Sequence, residues 1–450
     1  MKLLVLLAVG LRPCDLEEAP NIAGLAREGS MATLVPPLPA VTCTVQASML
    51  TGRLPRDHGV VGNGWYHRET SEIRFWLQSN SLVEGDGVVD RLSRSGHLCA
   101  KLFWWFNMYS AAAISVTPRP EYHADGNKKP GLYSNPSQLA GNLEKELGDF
   151  PLFSFWGPGA NIDSTRWITD SAMSVAREKD PDLMLVYLPH LDYDHQRHGP
   201  DAPQSRKAVG DLDREAGRLI EVARERGADV MVLSEYGIEK VDQPVFVNRL
   251  LAQEGLLRVQ GTTHGDLLDA GASSAFAVCD HQLAHLYLDQ GTDAGRVREM
   301  VEGLPGVERV FDREQQREIG LDHRRGGDLV ILASKGSWFP YHYWLDENRR
   351  PDFAPTVDIH RKPGYDPAEL FIDPQLKFPW LRIGRRLLQK KLGMRMLMDV
   401  VPTDPALVRG SHGRLPESSE VGPLLVRSWS GREQSLPSTE VAAEILSRFD

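Results

Sequence analysis

A hydroxyl can attack phosphorus when it stands at the start of a helix, among backbone N–H groups that favour a phosphoryl anion. The stretch Pro39-Ala40-Val41-Thr42-Cys43-Thr44-Val45-Gln46-Ala47-Ser48-Met49-Leu50-Thr51-Gly52 has this form: a strand over 32–35 feeds a Pro-rich turn that opens a short helix near Thr42. A plain N-cap is the alternative role for such a threonine. A second candidate follows the apolar strand 183–188, which delivers Pro189-His190-Leu191-Asp192-Tyr193-Asp194-His195-Gln196-Arg197-His198-Gly199-Pro200. Three His and two Asp in nine residues offer donors suited to Zn²⁺, Mn²⁺ or Fe. They lie just past a strand C-terminus, where open α/β sheets bind ligands; a solvated polar loop explains the composition equally well. The next buried strand, 229–233, ends in Ser234-Glu235-Tyr236-Gly237, and Ser411-His412-Gly413 precedes an apolar strand beginning at Pro423.

These groups need a large sheet to hold them. The chain has 450 residues, 41% of them hydrophobic, enough for one large core or for a core with a subdomain. The run Met1-Lys2-Leu3-Leu4-Val5-Leu6-Leu7-Ala8-Val9 is short, and Gly10 and Arg12-Pro13 close it without an evident cleavage site. It reads as the first buried strand of a parallel sheet, not a secretory leader. Helices are predicted over 17–27 and 211–226. No apolar run reaches membrane-spanning length, and the four scattered cysteines contain no CxxC pair, so a cytoplasmic location with reduced thiols is the expectation. A net charge of −10 argues against a broad surface for a nucleic-acid polymer. Aromatic residues crowd 75–76, 103–109 and 155–167. They are core material first, but Trp105, Asn107, Arg119 and Arg166 among them are candidates for a substrate wall. The stretch 382–395 is basic and apolar, a solvated helix face or a weak contact with an acidic membrane surface or a phosphate-bearing molecule.

The order Pro-x-x-Thr42, then Thr51-Gly52, Pro55-Arg56-Asp57-His58-Gly59 and Asn63-Gly64 resembles the nucleophile region of the alkaline phosphatase superfamily. It is most similar to the type I phosphodiesterase/nucleotide pyrophosphatase family and to phosphonoacetate hydrolase. The resemblance implies an α/β fold: an alkaline-phosphatase-like core with a central, mostly parallel sheet flanked by helices, plus a small α+β cap-like insertion. Residues 1–275 would form the first part of the core, 276–335 the insertion, and 336–450 the return to the core. It implies Thr42 as the nucleophile, Asn63 as a substrate contact, and Gln46 in place of an asparagine that the family puts at the position of Val45. It also implies divalent metal, Zn²⁺ foremost and Mn²⁺ or Fe as alternatives. Asp192 and His412 would hold a first ion, completed by His195, His198 or Gln196. A competing alignment through Pro363-Gly364-Tyr365-Asp366 would put proline at the last ligand position, which favours His412.

Departures from the family pattern are uneven, one at the first ion and the rest at the second. Val9 stands where an Asp ligand is expected, Gln196 and Tyr236 where His is expected, and Glu235 where Asp is expected. That leaves Thr42 and Glu235 for the second metal, whose existence is therefore in question. Glu235 as general base and Tyr236 as a donor to the transition state could substitute. Asp280-His281-Gln282 and His285 offer imidazoles too, with structural hydrogen bonding the favoured reading. The expectation is a hydrolase acting on a small phosphodiester, pyrophosphate or related ester. A ligand- or partner-binding protein that has lost catalysis, and a phosphoryl or sulfuryl transferase, stay open, as does the oligomeric state.

Overall fold

The computed structural model describes residues 1–124, 128–394 and 396–450. Its central sheet is built from β1 (Leu3–Ala8), β2 (Ser30–Val35), β3 (Cys99–Leu102), β4 (Ile114–Pro118), β5 (Leu132–Asn135), β6 (Leu183–Leu188) and β7 (Asp229–Leu233). A smaller sheet takes β8 (Ala275–Asp280), β9 (Leu283–Leu288), β10 (Val307–Phe311) and β11 (Leu329–Ala333) before β12 (Leu424–Arg427) and β13 (Ser435–Pro437) rejoin the first. The nine-stranded order is β13-β2-β12-β7-β1-β6-β3-β4-β5. β7, β1, β6, β3 and β4 run parallel, and β12 and β5 pair antiparallel to their neighbours. Every residue of β1 and β6 is buried. That follows from their almost wholly apolar sequences, because a strand covered on both faces shows no polar alternation.

The apolar N-terminal run is thus a central strand. α1 (Pro20–Glu28) and a long helix, Pro203–Glu225, belong to the covering layer. The long helix begins well before the predicted 211 because Pro203 occupies its first turn, where a missing N–H costs nothing. Two further helices matter for the site. α2 (Thr42–Thr51) is buried at all ten positions and ends at Gly52 in the left-handed conformation, φ +69°, which a Cβ would strain. α3 (His190–His198) takes up the segment that composition left open as a polar loop.

The smaller sheet is antiparallel, in the order β8-β9-β11-β10. Its first strand, Ala-Phe-Ala-Val-Cys-Asp, is buried at all six positions, so periodicity gives no sign of it. It packs with Phe339, Tyr341, Tyr343 and Trp344 into a second apolar core. No helix among the described residues is long and apolar enough to cross a membrane.

Candidate functional site

Three neighbouring strands end together. β1 pairs with β6 through Ala8 and Leu188, and with β7 through Leu7 and Leu233, so Val9, Pro189 and Ser234 leave the sheet side by side. Glu235 and Tyr236 follow β7, and α3 follows β6. Within α3, Asp192 and Gln196 are four residues apart and share a face, and Gln196 Nε2 donates to Asp192 Oδ2 at 2.8 Å.

Thr42 opens α2, whose N-cap Val41 has no side chain able to cap it. The Cys43 N–H is capped instead by Asn63 Oδ1 at 2.9 Å, and Asn63 donates from its backbone N and its Nδ2 to Asp280 at 2.7 and 3.0 Å. Thr42 Oγ1 and the Tyr236 hydroxyl share a hydrogen bond of 2.9 Å. The phenol also donates to Asp192 Oδ1 at 3.4 Å. The result is a chain of polar contacts from Thr42 through Tyr236, Asp192 and Gln196 to the Tyr365 hydroxyl, which donates to Gln196 Oε1 at 2.9 Å. On the other side, Gln46 donates to Glu235 Oε1 at 3.0 Å and accepts the Trp105 backbone N–H at 2.9 Å.

Aromatic rings back this chain. Tyr236 stacks on His412 at 3.5 Å with an 8° tilt, His412 lies 3.6 Å from His281, and His281 stacks on Tyr365 at 3.8 Å. Trp76 and Trp156 each reach Tyr365 at 5.9 Å, and Trp76 meets Trp105 at 4.8 Å. His412 Nδ1 is bound to the Ala40 carbonyl at 2.8 Å.

Burial controls the charges here, since an ion in low dielectric is disfavoured against its neutral form. It raises Asp192 to about 7, against the hydrogen bonds from Gln196 and Tyr236. It raises Glu235 to about 8, against the bond from Gln46, and Oε2 of Glu235 has no hydrogen-bond partner among the described residues. Burial, with Asp192 next, pushes the Tyr236 phenol well up. It lowers His412 to about 3, so the 3.9 Å approach of His412 Nε2 to Asp192 joins a neutral ring to a carboxyl.

Some residues predicted for the site lie elsewhere. Asn107 Nδ2 is spent on the carbonyls of Lys101 and Val116. Arg119 is exposed, and Arg166 pairs with Asp163 and Glu215 on the surface. His198 is exposed because helical twist carries it off the Asp192–Gln196 face. His195 is buried with neither nitrogen partnered among the described residues, and faces Gly10. Sequence reasoning also missed a contributor. Tyr365 reaches the network through Gln196, while His281, stacked between Tyr365 and His412 and 3.4 Å from Ser411 Oγ, and Asp280, bonded to Asn63, make the structural contacts expected of that segment.

A family model for type I phosphodiesterase/nucleotide pyrophosphatase matches residues 3–366. The chain belongs to this family. An uncharacterized pyrophosphatase/phosphodiesterase of Schizosaccharomyces pombe is 26% identical over 261 residues, covering 56% of this chain and 46% of that protein. Human ectonucleotide pyrophosphatase/phosphodiesterase family member 7 is 25% identical over 239 residues, covering 50% of this chain and 45% of its own length. The match to these two relatives therefore spans about half the length of each. Among solved structures, phosphonoacetate hydrolase from Sinorhizobium meliloti 1021 superposes with a TM-score of 0.64 at 15% identity, over 100% of this chain and 96% of that one. Murine ectonucleotide pyrophosphatase/phosphodiesterase 5 does so with 0.62 at 13%, over 99% and 94%. Both likenesses bear on the fold, which is alkaline-phosphatase-like.

Type I phosphodiesterases are generally dependent on divalent metals, but the donor set of this member does not fit one as it stands. Val9 is buried apolar core. The Tyr236 phenol, bonded to both Thr42 and Asp192, takes up the donors that an ion between them would need. The amide nitrogen of Gln196, which repels a cation, is aimed at Asp192. Among the described residues no group of three or more His, Cys, Asp or Glu could hold a metal ion.

Proposed function

We propose that this protein cleaves a phosphodiester or pyrophosphate link in a small organic molecule, with Thr42 as the nucleophile. The observation that carries the reading is the unbroken contact from Thr42 Oγ1 to the Tyr236 hydroxyl and on to Asp192 Oδ1, 2.9 and 3.4 Å. As Thr42 Oγ bonds to phosphorus, its proton passes to the phenol oxygen while the phenol proton passes to Asp192. The bond from phosphorus to the leaving oxygen breaks, and that oxygen takes a proton from Glu235, which burial keeps protonated to about pH 8. Glu235 therefore serves first as an acid, not as the base that its sequence position suggested. Water then attacks the phosphothreonine, giving its proton to Glu235, and Thr42 recovers its own from Tyr236 and Asp192. The aromatic surfaces of Trp76, Trp105 and Trp156 suit a flat or apolar part of the substrate. A murine relative described as inactive through a threonine-to-alanine change was solved with AMP, which supports both a threonine nucleophile and a nucleotide-like ligand.

One observation favours a second reading, ligand binding without turnover. Asp192 and Gln46 already have protein partners, and Glu235 is closed off from charge. Incubation with bis(p-nitrophenyl) phosphate and with nucleoside pyrophosphates separates the two. Turnover that disappears in Thr42→Ala, with a phosphoryl adduct on Thr42 trapped in the slow variant Glu235→Gln, supports cleavage. Binding of AMP that persists in Thr42→Ala, with no turnover in either protein, supports the second reading.

A further inference from the structure

Residues 374–398 hold no Asp or Glu but seven Lys and Arg, in a chain whose net charge is −10. Arg395, one of the seven and part of the basic stretch singled out in the sequence, lies outside the described residues. The stretch is centred on α4 (Pro379–Lys391), thirteen residues with none buried. At 100° per residue, Trp380, Ile383, Leu387, Leu388 and Leu381 share about half of the helix circumference, and Arg382, Arg385, Arg386 and Gln389 share the opposite half.

The helix sits on the protein the wrong way round for a globular surface. Arg382 and Arg386 both pair with Asp399, in the segment that follows the helix, so the polar side is turned toward the chain that returns from it. The apolar side faces outward, with Trp380 74% and Leu381 73% exposed, and Phe378 just before the helix 72% exposed. An amphipathic helix normally buries its apolar stripe, and this one leaves it open, with Arg385 and Lys390 at its two edges and Lys391 within it at the last turn. Arg385, Lys390 and Lys391 make no ion pair among the described residues.

We infer that α4 docks this protein on an anionic lipid bilayer, its apolar side entering the headgroup boundary and its free cations meeting acidic headgroups. Four features select that occupant. The sign of the charge complements acidic lipid and contrasts with the rest of the chain. Trp and Phe with long aliphatic side chains form a convex apolar surface, suited to the bilayer interface, and flanking Lys and Arg extend their heads to the same level. A second copy is a poor occupant, because a two-fold contact through this face would set the cations of one helix against those of the other. A helix of this length is about 20 Å long, too short to span a bilayer and suited to lying on it. Binding of this kind is independent of turnover at Thr42.

The test is flotation of the full chain with vesicles of phosphatidylcholine alone, or with about 30% phosphatidylglycerol, alongside sedimentation equilibrium without lipid. The expected result is flotation with the anionic vesicles only. Leu381→Glu with Leu388→Glu should weaken it at least about tenfold, and so should Arg385→Gln with Lys390→Gln and Lys391→Gln. Raising salt from about 0.05 to 0.5 M should weaken it as well. Circular dichroism melting should be unchanged in both variants, since Leu381, Leu388, Arg385 and Lys391 are exposed and Lys390 is half-buried with no ion pair among the described residues. No flotation, flotation that both variants keep, or a lipid-free dimer that Leu381→Glu with Leu388→Glu dissolves would each overturn the inference.

Discussion

The ends of β1, β6 and β7 and the helix α4 break the usual rule of burial in opposite directions. At the strand ends, Thr42, Gln46, Glu235, Gln196 and His412 are polar and buried. On α4, Trp380 and Leu381 are apolar and exposed. The first arrangement is stable because nearly every polar group has a protein partner, as buried groups require, and the partners are mostly neutral. The second has no covering partner among the described residues. The contrast teaches that the fold satisfies most of the polar groups at the strand ends, Glu235 Oε2 and His195 excepted, whereas it leaves the apolar side of α4 uncovered among the described residues.

Four substitutions sharpen this contrast, in decreasing order of expected effect. Thr42→Ala should lower turnover on the order of 10³-fold or more with little change in melting, since it removes one hydroxyl from the chain of contacts; unchanged turnover in a steady-state assay would break the account of the site. Tyr236→Phe should cost about 10²-fold, because Thr42 and Asp192 then lose the oxygen that joins them. Asn63→Ala strips an acceptor from the Cys43 N–H and a donor from Asp280, and chemical denaturation should show a loss of about 1–3 kcal/mol. The fourth, Leu381→Glu with Leu388→Glu, should change stability by less than about 0.5 kcal/mol; a larger loss would mean that the face is part of the core.

Asp280 gives the comparison a pH dependence. Burial raises its carboxyl to about 7, against the hydrogen bonds from Asn63. The folded chain therefore binds this proton more tightly than the unfolded chain. The stability contribution is complete below the unfolded value near pH 4 and is lost as pH rises through about 7, at up to about 1.4 kcal/mol per pH unit. Denaturation of the wild type against Asp280→Asn between pH 4 and 9 should show the wild type declining relative to the variant up to about pH 7, then running parallel.

The sheet was legible because β1, β6 and, after Asp229, β7 are unbroken apolar runs, and the helix over Thr42 because a Pro-rich turn precedes it. The sequence also placed Thr42, Asp192, Glu235, Tyr236 and His412 at one end of the sheet, and they meet there. It did not reveal what Tyr236 does. A tyrosine at a ligand position reads as a loss until its hydroxyl is found between Thr42 and Asp192. Nor could it bring in Tyr365 and His281, whose places in the ring stack depend on how the β8–β11 sheet and the loop after it fold back over the strand ends. Asn107, Arg119 and Arg166 misled because nearness in sequence to tryptophans says nothing about direction: Asn107 turns into the backbone of β3 and β4, and Arg166 turns to the surface.

The central claim is that hydrogen bonds among Thr42, Tyr236, Asp192 and Gln196 occupy the donors that related sites would give to metal ions. Elemental mass spectrometry of the purified chain, before and after reconstitution with Zn²⁺ and Mn²⁺ and dialysis, tests it most directly, with Asp192→Ala and His412→Ala measured in parallel. The expected result is no stoichiometric metal in any of the three proteins. About one ion or more per chain, lost in both variants, would contradict the account and mean that Tyr236 and Gln196 give way to a metal site.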